Sequence, residues 1–244
     1  MITRHHLMLA GLGTGILGLI LIPRDPAGIL FLVLAACLGA ILPDFHMKKP
    51  RTAKIRIPAW YIAQFTLRFL LPVINRVYRL IRKNTNTLDK KMTHSFIGIF
   101  LIFWILTFIT AGISTGLILL SGATEILHIS GLFLLGLFTG LVLHLFADLC
   151  TKKGIAPFYP VSTICVSGSI RPCDTSDPRI RRYIICNVVI ILLLLTARYA
   201  GAGSSSVFIL GLLGFLLCQG MMVAQSDLTL SENKAGAGKY PITG

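Results

Sequence analysis

The chain has 244 residues, of which 55% are hydrophobic and only 13% are charged, and its mean hydropathy is +0.80. Because about 25% of the residues of a soluble domain are charged, this composition excludes an ordinary water-soluble globular protein. The net charge is +14, and the basic residues cluster between apolar segments, which favours anionic membrane lipids over nucleic acid as their partner.

Six apolar runs follow one another along the chain, and a helix satisfies its own backbone hydrogen bonds inside a bilayer. The predicted spans cover residues 7–22, 28–42, 96–120, 129–147, 183–197 and 207–224. The first two are shorter than the roughly 20 residues that a crossing usually needs, so a shallow hairpin around residues 23–26 is an alternative for them. The sequence therefore predicts an all-α, polytopic transmembrane helix bundle with about six spans.

The basic residues also predict how the bundle is oriented. Of the 23 Lys and Arg residues, only Arg24 and Arg198 fall on one side of the predicted bundle. Because cytoplasmic loops carry the excess of Lys and Arg, we expect a multi-pass protein of the cell membrane with both termini in the cytoplasm. Residues 225–244 are polar and glycine-rich, and they are predicted to form a flexible cytoplasmic tail.

Residues 58–83 differ from the six spans because basic and apolar residues alternate there at helical spacing. The basic positions are Arg68, Arg76, Arg79 and Lys83, and the apolar positions are Ile62, Phe65, Phe69, Val73, Val77 and Leu80. Pro72 is expected to kink or split the helix. This pattern predicts a basic amphipathic helix that lies in the interface of the cytoplasmic leaflet. An ordinary solvated helix is the alternative.

The scarce histidines and acids collect at one end of the predicted bundle. Those at the cytoplasmic ends of spans are His6, Asp44, His46, Asp89, His94, His144 and Asp148. On a helix, the spacing of His144 and Asp148 puts both side chains on one face, as in helices that offer two metal ligands. Because ionisable groups inside a membrane need a partner or an ion, this convergence predicts a divalent metal site. A polar network or proton relay without metal is the alternative.

Other titratable residues fall outside this set. Glu125 and His128 lie at the opposite end of the predicted bundle, so they are excluded from the site. Asp174 and Asp177 lie in a loop close to basic residues such as Arg179, a pattern typical of ion pairs that stabilise a loop. The six cysteines are scattered without the paired spacing of a zinc ribbon, and they are interpreted as reduced packing residues.

Four short motifs follow one another along about the first 165 residues. They are His6 before the first span, then Leu42-Pro43-Asp44, then Thr93-His94-Ser95, and last His144 and Asp148 followed by Gly154 and Tyr159-Pro160. In this order the chain resembles the YdjM-like inner-membrane proteins, a family described as metal-dependent hydrolases. The block from Gly140 to Pro160 is the most specific part of the resemblance.

The chain departs from the family's usual pattern in two of these motifs. His46 stands where the family typically has an Asp, Asp89 stands where it has a His, and Met47 replaces a His. His46 and Asp89 are still able to bind metal, whereas Met is a poor ligand for a hard or borderline cation. The resemblance implies that residues 1–182 form the membrane-embedded hydrolase domain, to which residues 183–224 add two C-terminal transmembrane helices.

The leading prediction is a membrane-embedded, metal-dependent hydrolase that acts on a phosphorylated or otherwise anionic lipid-like substrate. The seven residues at the cytoplasmic ends of the spans would hold the metal, and mixed imidazole and carboxylate ligation favours zinc, with manganese or iron as alternatives. The residues expected to hold the anionic head group are Lys90, Lys91, Lys152 and Lys153. Two alternatives remain: a proton- or ion-coupled transporter that uses the same residues as a relay, and a non-catalytic membrane protein with a structural metal.

Overall fold

The computed structural model describes residues 3–44, 70, 72–81, 91–172, 174 and 177–232. The helices, in chain order, are α1 (Thr3–Leu21), α2 (Pro26–Ile41), α3 (72–81), α4 (Phe96–Ser121), α5 (Glu125–Leu149), α6 (Arg179–Tyr199) and α7 (Ser204–Ala224). A 3-10 turn at Leu42–Asp44 extends α2. Two short strands, β1 (Ile164–Ser167) and β2 (Thr229–Glu232), form an antiparallel pair.

Every described helix except α3 is long and apolar enough to cross a membrane. They match the six predicted spans one for one, so the all-α polytopic bundle is confirmed. The first helix offers an 18-residue apolar stretch, and α2 with its 3-10 turn offers 19 residues, so both are long enough to span. The outward surfaces of α4, α6 and α7 carry large exposed apolar side chains, as expected where lipid is the solvent.

Two side-chain caps define where α2 and α4 begin. Asp25 Oδ1 accepts a hydrogen bond from Gly28 N at 2.8 Å at the start of α2. Ser95 Oγ accepts one from Gly98 N at 3.0 Å at the start of α4. Each cap satisfies an amide group that the first turn of a helix leaves without an intrahelical partner. Because His94 directly precedes Ser95, this cap holds His94 just before the first turn of α4.

Glycines allow α2 and α5 to pack with their backbones in contact. A Cβ atom built at Gly39 would overlap the backbone oxygen of Leu137, and one built at Gly140 would overlap that of Ala36. Gly136 opposes α2 in the same way, one turn before Gly140. Small residues are the usual means of close helix packing in a bilayer. This contact brings the carboxyl end of α2 beside the last turns of α5.

The short helix α3 packs on the bundle through one stripe of its surface. Ile74 and Tyr78 are fully buried, whereas Val73 and Leu80 from the predicted apolar side are 48% and 84% exposed. The exposed stripe is therefore available to the membrane, while the buried stripe attaches the helix to the protein. Most of the predicted amphipathic helix, including Arg68 and Lys83, lies outside the described residues, so its interfacial position stays a prediction.

The loop between α5 and α6 is tied to the end of α7. Arg179 Nη2 lies 2.8 Å from Asp177 Oδ2, and the same guanidinium donates to the backbone oxygens of Ser169 and Gln225, both at 2.9 Å. This confirms the predicted ion pair at Asp177, and the Arg179 guanidinium holds the pKa of that carboxyl well below its usual range. Within the predicted tail, residues 229–232 pair with β1, and the flexibility of the tail stays a prediction.

Candidate metal centre

The structure brings most of the predicted metal ligands together at one end of the bundle. His6 lies in the first turn of α1, Asp44 ends the turn after α2, and His94 precedes α4. His144 and Asp148 lie in the last turns of α5. The three histidines are 1% exposed and Asp148 is 2% exposed. The predicted convergence of ionisable groups from different spans is therefore observed.

Four of these residues form a group compact enough for a single ion. One ligand atom from each of Asp44, His94, His144 and Asp148 lies within 4.8 Å of the other three. His94 Nε2 is 3.1 Å from Asp44 Oδ1 and 3.5 Å from Asp148 Oδ2. His144 Nε2 is 3.8 Å from Asp148 Oδ2. Tetrahedral zinc, with bonds of about 2.0–2.2 Å, separates its nitrogen and oxygen ligands by roughly 3.3–3.6 Å, so these distances suit one cation.

His6 lies directly against this group. Its Nε2 is 3.3 Å from Asp148 Oδ1 and 3.9 Å from Asp44 Oδ2. Its ring stacks on that of His144, with centroids 3.9 Å apart and an interplanar angle of 20°. Within the described residues, both ring nitrogens of His6 are buried without a hydrogen bond. His6 is close enough to add a ligand to the group, and that role stays a prediction.

A hydrogen bond from α2 sets the tautomer of His144. The Nδ1 atom of His144 lies 2.6 Å from the backbone oxygen of Ala40. A carbonyl oxygen only accepts hydrogen bonds, so Nδ1 carries the proton. In the neutral imidazole the lone pair then belongs to Nε2, the atom that faces Asp148. This is the tautomer that a metal ligand needs.

The hydroxyl of Thr93 sets the tautomer of His94 in the same way. Thr93 Oγ1 donates to the backbone oxygen of Pro43 at 3.0 Å and lies 3.0 Å from His94 Nδ1. Because a hydroxyl has one proton, Thr93 accepts from His94, and Nδ1 of that ring is protonated. The lone pair of neutral His94 therefore lies on Nε2, towards the two carboxylates.

The donor set fits a bound cation. Lone pairs on two imidazoles point towards carboxylate oxygens, and these atoms repel one another unless a positive charge stands between them. A buried site in a membrane makes that repulsion costly because little water is present to screen it. A divalent cation or a shared proton would supply the charge. Among the described residues, His144 Nε2 is buried without a hydrogen bond, which fits a metal ligand better than a proton relay.

Replacing Thr93 with valine is expected to lower the affinity for divalent metal about 10- to 100-fold, the usual cost of losing a group that orients a metal-bound histidine. Valine keeps the shape of the side chain but removes the oxygen that accepts from His94 Nδ1. Competition of the purified protein with a chelating dye measures the affinity. Thr139→Val is the matched control, because the Thr139 hydroxyl bonds to Leu135 O within α5. Equal affinities of the two variants would contradict the role of Thr93.

The roles of the remaining predicted site residues also stay predictions. Those outside the described part of the chain are His46, Asp89 and Lys90. Lys91 is half-buried at the start of the segment that carries His94. Lys152 and Lys153 are exposed in the turn that follows α5. Their predicted contact with a substrate head group therefore remains a prediction.

Tyr78, for which the sequence predicts no role, links α3 to the segment that carries His94. The Tyr78 hydroxyl donates to Met92 O at 2.9 Å and lies 2.7 Å from Ser95 Oγ. Its ring stacks on Tyr159, with centroids 5.8 Å apart, and burial raises the pKa of Tyr78 to about 12. Met92 and Ser95 lie on either side of His94 in the chain. Tyr78 on α3 therefore helps to hold the segment that carries His94 in place. The sequence signal for this role is an aromatic residue within the basic amphipathic pattern of residues 58–83.

The structure confirms that His128 lies away from the metal centre. It belongs to the first turn of α5, at the opposite end of that helix from His144. Its Nε2 is 3.9 Å from Asp25 Oδ2, and the two side chains are 63% and 45% exposed. Glu125, the first residue of α5, lies at the same end. These residues form a separate surface contact.

A comparison with sequence models of protein families matches nearly the whole chain. Residues 1–227 match the model of a family described as YdjM inner membrane protein. No curated protein and no solved structure matches the chain significantly. The matched region includes the six membrane helices and every residue that meets at the metal centre.

Proposed function

Because this chain belongs to the YdjM inner membrane protein family, we propose that it is a membrane-embedded, metal-dependent hydrolase. Its substrate is a phosphorylated or otherwise anionic lipid-like molecule. The site lies at the cytoplasmic interface, since the positive-inside bias places that end of the bundle in the cytoplasm. The bound ion is divalent, with zinc favoured and manganese or iron as alternatives.

The observation that carries this proposal is the grouping of two imidazoles and two carboxylates around one point. Their ligand atoms lie within 4.8 Å of one another in a buried site. Structural zinc sites are built largely from cysteine, whereas catalytic zinc sites are typically built from histidine and carboxylate and keep a position open for water or substrate. The donor set here contains no cysteine, which supports catalysis over a purely structural ion.

The chain's own residues orient the donor atoms and leave one side of the site accessible. A divalent cation held here would supply Lewis acidity for the hydrolysis of a phosphoryl or acyl group. Hydrogen bonds to Ala40 O and Thr93 Oγ1 keep the protons of His144 and His94 on the Nδ1 atom of each ring. Asp44 is the least enclosed ligand, with a side chain that is 11% exposed. We infer that substrate approaches beside Asp44, whose carboxylate accepts a proton from the attacking water.

Basic residues near the site suit an anionic substrate. Lys91 begins the segment that carries His94, and Lys152 and Lys153 follow the helix that carries His144. An ammonium group binds a phosphate as a point charge, so these three side chains are proposed to hold the head group. Lys90, which is outside the described residues, is proposed to act with them.

Purified protein is expected to contain divalent metal and to hydrolyse a phosphate or carboxylic ester of a lipid-like alcohol. Elemental analysis of the detergent-purified protein identifies the ion, and a panel of phosphatase and esterase substrates tests the reaction. Treatment with a chelator is expected to stop hydrolysis, and the addition of the identified ion is expected to restore it.

Two results would contradict this proposal in different ways. Protein that binds metal stoichiometrically but hydrolyses no member of the panel would favour a structural ion and a non-catalytic role. Protein that binds no divalent metal, even when it is reconstituted with zinc, manganese or iron, would refute the metal centre itself.

A further inference from the structure

A turn between α5 and β1 carries two apolar side chains on the surface of the protein. Ser162 N donates to Phe158 O at 3.0 Å and closes this turn. Phe158 is 58% exposed and Val161 is 76% exposed. Because the hydrogen bond closes the turn, both side chains lie in one small region of surface. Contact with water is unfavourable for such a region, so a less polar environment is expected to cover it.

The turn is attached to the bundle at two points. Tyr159, which lies between the two exposed residues in the chain, is 5% exposed, and its ring stacks on that of Tyr78 in α3. Pro157 O accepts a hydrogen bond at 2.8 Å from the backbone N–H of Phe96, the first residue of α4. These contacts hold the turn beside the start of α4 while its apolar side chains stay on the outside.

The exposed surface of the turn is continuous with the lipid-facing surface of α4. The rings of Phe158 and Phe96 contact each other, with centroids 5.5 Å apart. Phe100 and Trp104 continue the row along α4, and their ring centroids are 5.8 Å apart. Phe96, Phe100 and Trp104 are 45%, 54% and 44% exposed. Since α4 is a membrane-spanning helix that begins at Phe96, the turn lies where this helix enters the hydrocarbon region.

Helix α3, which contacts the turn through Tyr78, also carries exposed apolar side chains. These are Val73, Leu80 and Ile81, which are 48%, 84% and 50% exposed. Two neighbouring segments beside one membrane entry therefore expose apolar residues. Lipid reaches both segments directly, whereas a water-soluble protein would have to displace lipid head groups to cover them. Membrane lipid is therefore the partner that fits this position.

We propose that the turn at residues 158–162 inserts Phe158 and Val161 into the membrane interface beside α4. The partner is the boundary between head groups and acyl chains in the leaflet next to the metal centre, which is cytoplasmic in the proposed orientation. Apolar side chains of interfacial segments reach roughly 5–10 Å into this boundary. Because Phe96 connects the turn to the segment that carries His94, this anchor fixes the depth of the metal centre in the leaflet. The insertion does not depend on the proposed hydrolase activity.

Tryptophan fluorescence in nanodiscs of brominated phosphatidylcholine tests the insertion, because bromine quenches tryptophan by contact. Phe158→Trp is made in a background in which Trp60 and Trp104 are replaced with Phe. Bromine near the head-group end of the acyl chains is expected to reduce its emission about twofold, because the ring would lie within the roughly 5–10 Å of the interfacial boundary. Bromine near the other end of the chains is expected to quench it less. Val161→Trp is expected to behave in the same way.

Two controls accompany this measurement. Protein that keeps Trp104 and carries only Trp60→Phe is expected to show the opposite depth preference, because Trp104 lies about 12 Å beyond Phe96 along α4. Lys153→Trp, in the background without Trp60 and Trp104, replaces an exposed residue of the same loop. It is expected to be quenched by iodide in the water and not by brominated lipid.

Quenching of Phe158→Trp by brominated lipid that is no stronger than that of Lys153→Trp would overturn the insertion. Quenching by iodide would then place the turn in water, and protection from both quenchers would indicate a protein partner instead. If Phe158→Trp does not fold, Val161→Trp decides alone. Metal content is expected to stay unchanged in every variant, so loss of the anchor is distinguishable from loss of the metal centre.

Discussion

Replacing His144 with alanine is expected to abolish metal binding and, with it, the proposed hydrolysis. The side chain is fully enclosed, with its Nδ1 held by Ala40 O and its Nε2 facing Asp148. Loss of a residue that only orients a ligand costs about 10- to 100-fold in metal affinity, so loss of the ligand itself is expected to cost more than 100-fold. Elemental analysis of the purified variant measures the effect.

The matched control for this substitution lies on the same helix. His128→Ala removes an exposed imidazole at the opposite end of α5, so its metal content is expected to equal that of the unmodified protein. Asp148→Asn tests the centre without a large change in side-chain volume, and it is expected to lose metal as His144→Ala does. Full metal content in both His144→Ala and Asp148→Asn would refute the assignment of these residues.

Replacing Gly140 with leucine is expected to destabilise the protein severely by forcing α2 and α5 apart. A Cβ atom at this position meets the backbone of Ala36, which cannot move aside as a flexible side chain can. Overpacking a well-packed core typically costs 1–3 kcal/mol, and overlap with backbone places this variant at the upper end, about 3 kcal/mol. Thermal unfolding in detergent measures the loss of stability. Metal binding is expected to fall as well, because Ala40 and Asp44 move with α2.

Gly131→Leu is the matched control for helix packing. Gly131 is exposed near the other end of α5, and a Cβ atom built there meets no other atom within 4 Å. The same substitution is therefore expected to leave the unfolding temperature almost unchanged. If Gly140→Leu and Gly131→Leu unfold at the same temperature, the close contact between α2 and α5 does not contribute to stability as we describe.

Three features of the fold could be predicted from local sequence because each depends on one segment at a time. A long apolar run in a bilayer must form a helix to satisfy its backbone hydrogen bonds. Each span could therefore be predicted from its own apolar run. Ionisable residues at the same ends of successive spans lie at one depth, and this placed His6, Asp44, His94, His144 and Asp148 in one layer. The ion pair of Asp177 was readable for the same reason, since its partner is two residues away.

Two other features that depend on distant segments were not predicted. β2 forms because residues 229–232 meet the loop that carries β1, about 60 residues earlier in the chain. The polar composition of the tail carries no information about this distant partner, so it did not predict a strand. Tyr78 reaches Met92 and Ser95 only after α3 packs on the bundle. In both cases the local sequence does not identify the partner, because the partner lies in a distant segment that only the folded protein brings close.

The sequence by itself determined the membrane class, the six spans and the chemical types of the side chains at the candidate metal centre. Only the tertiary structure decided which nitrogen of His94 and of His144 faces the carboxylates of Asp44 and Asp148. His144 is oriented by the backbone oxygen of Ala40, 104 residues away, and Thr93 orients His94 by donating to Pro43, which is 50 residues away. Every residue has a backbone carbonyl, so no pattern in the sequence marks the ones that packing brings against a histidine.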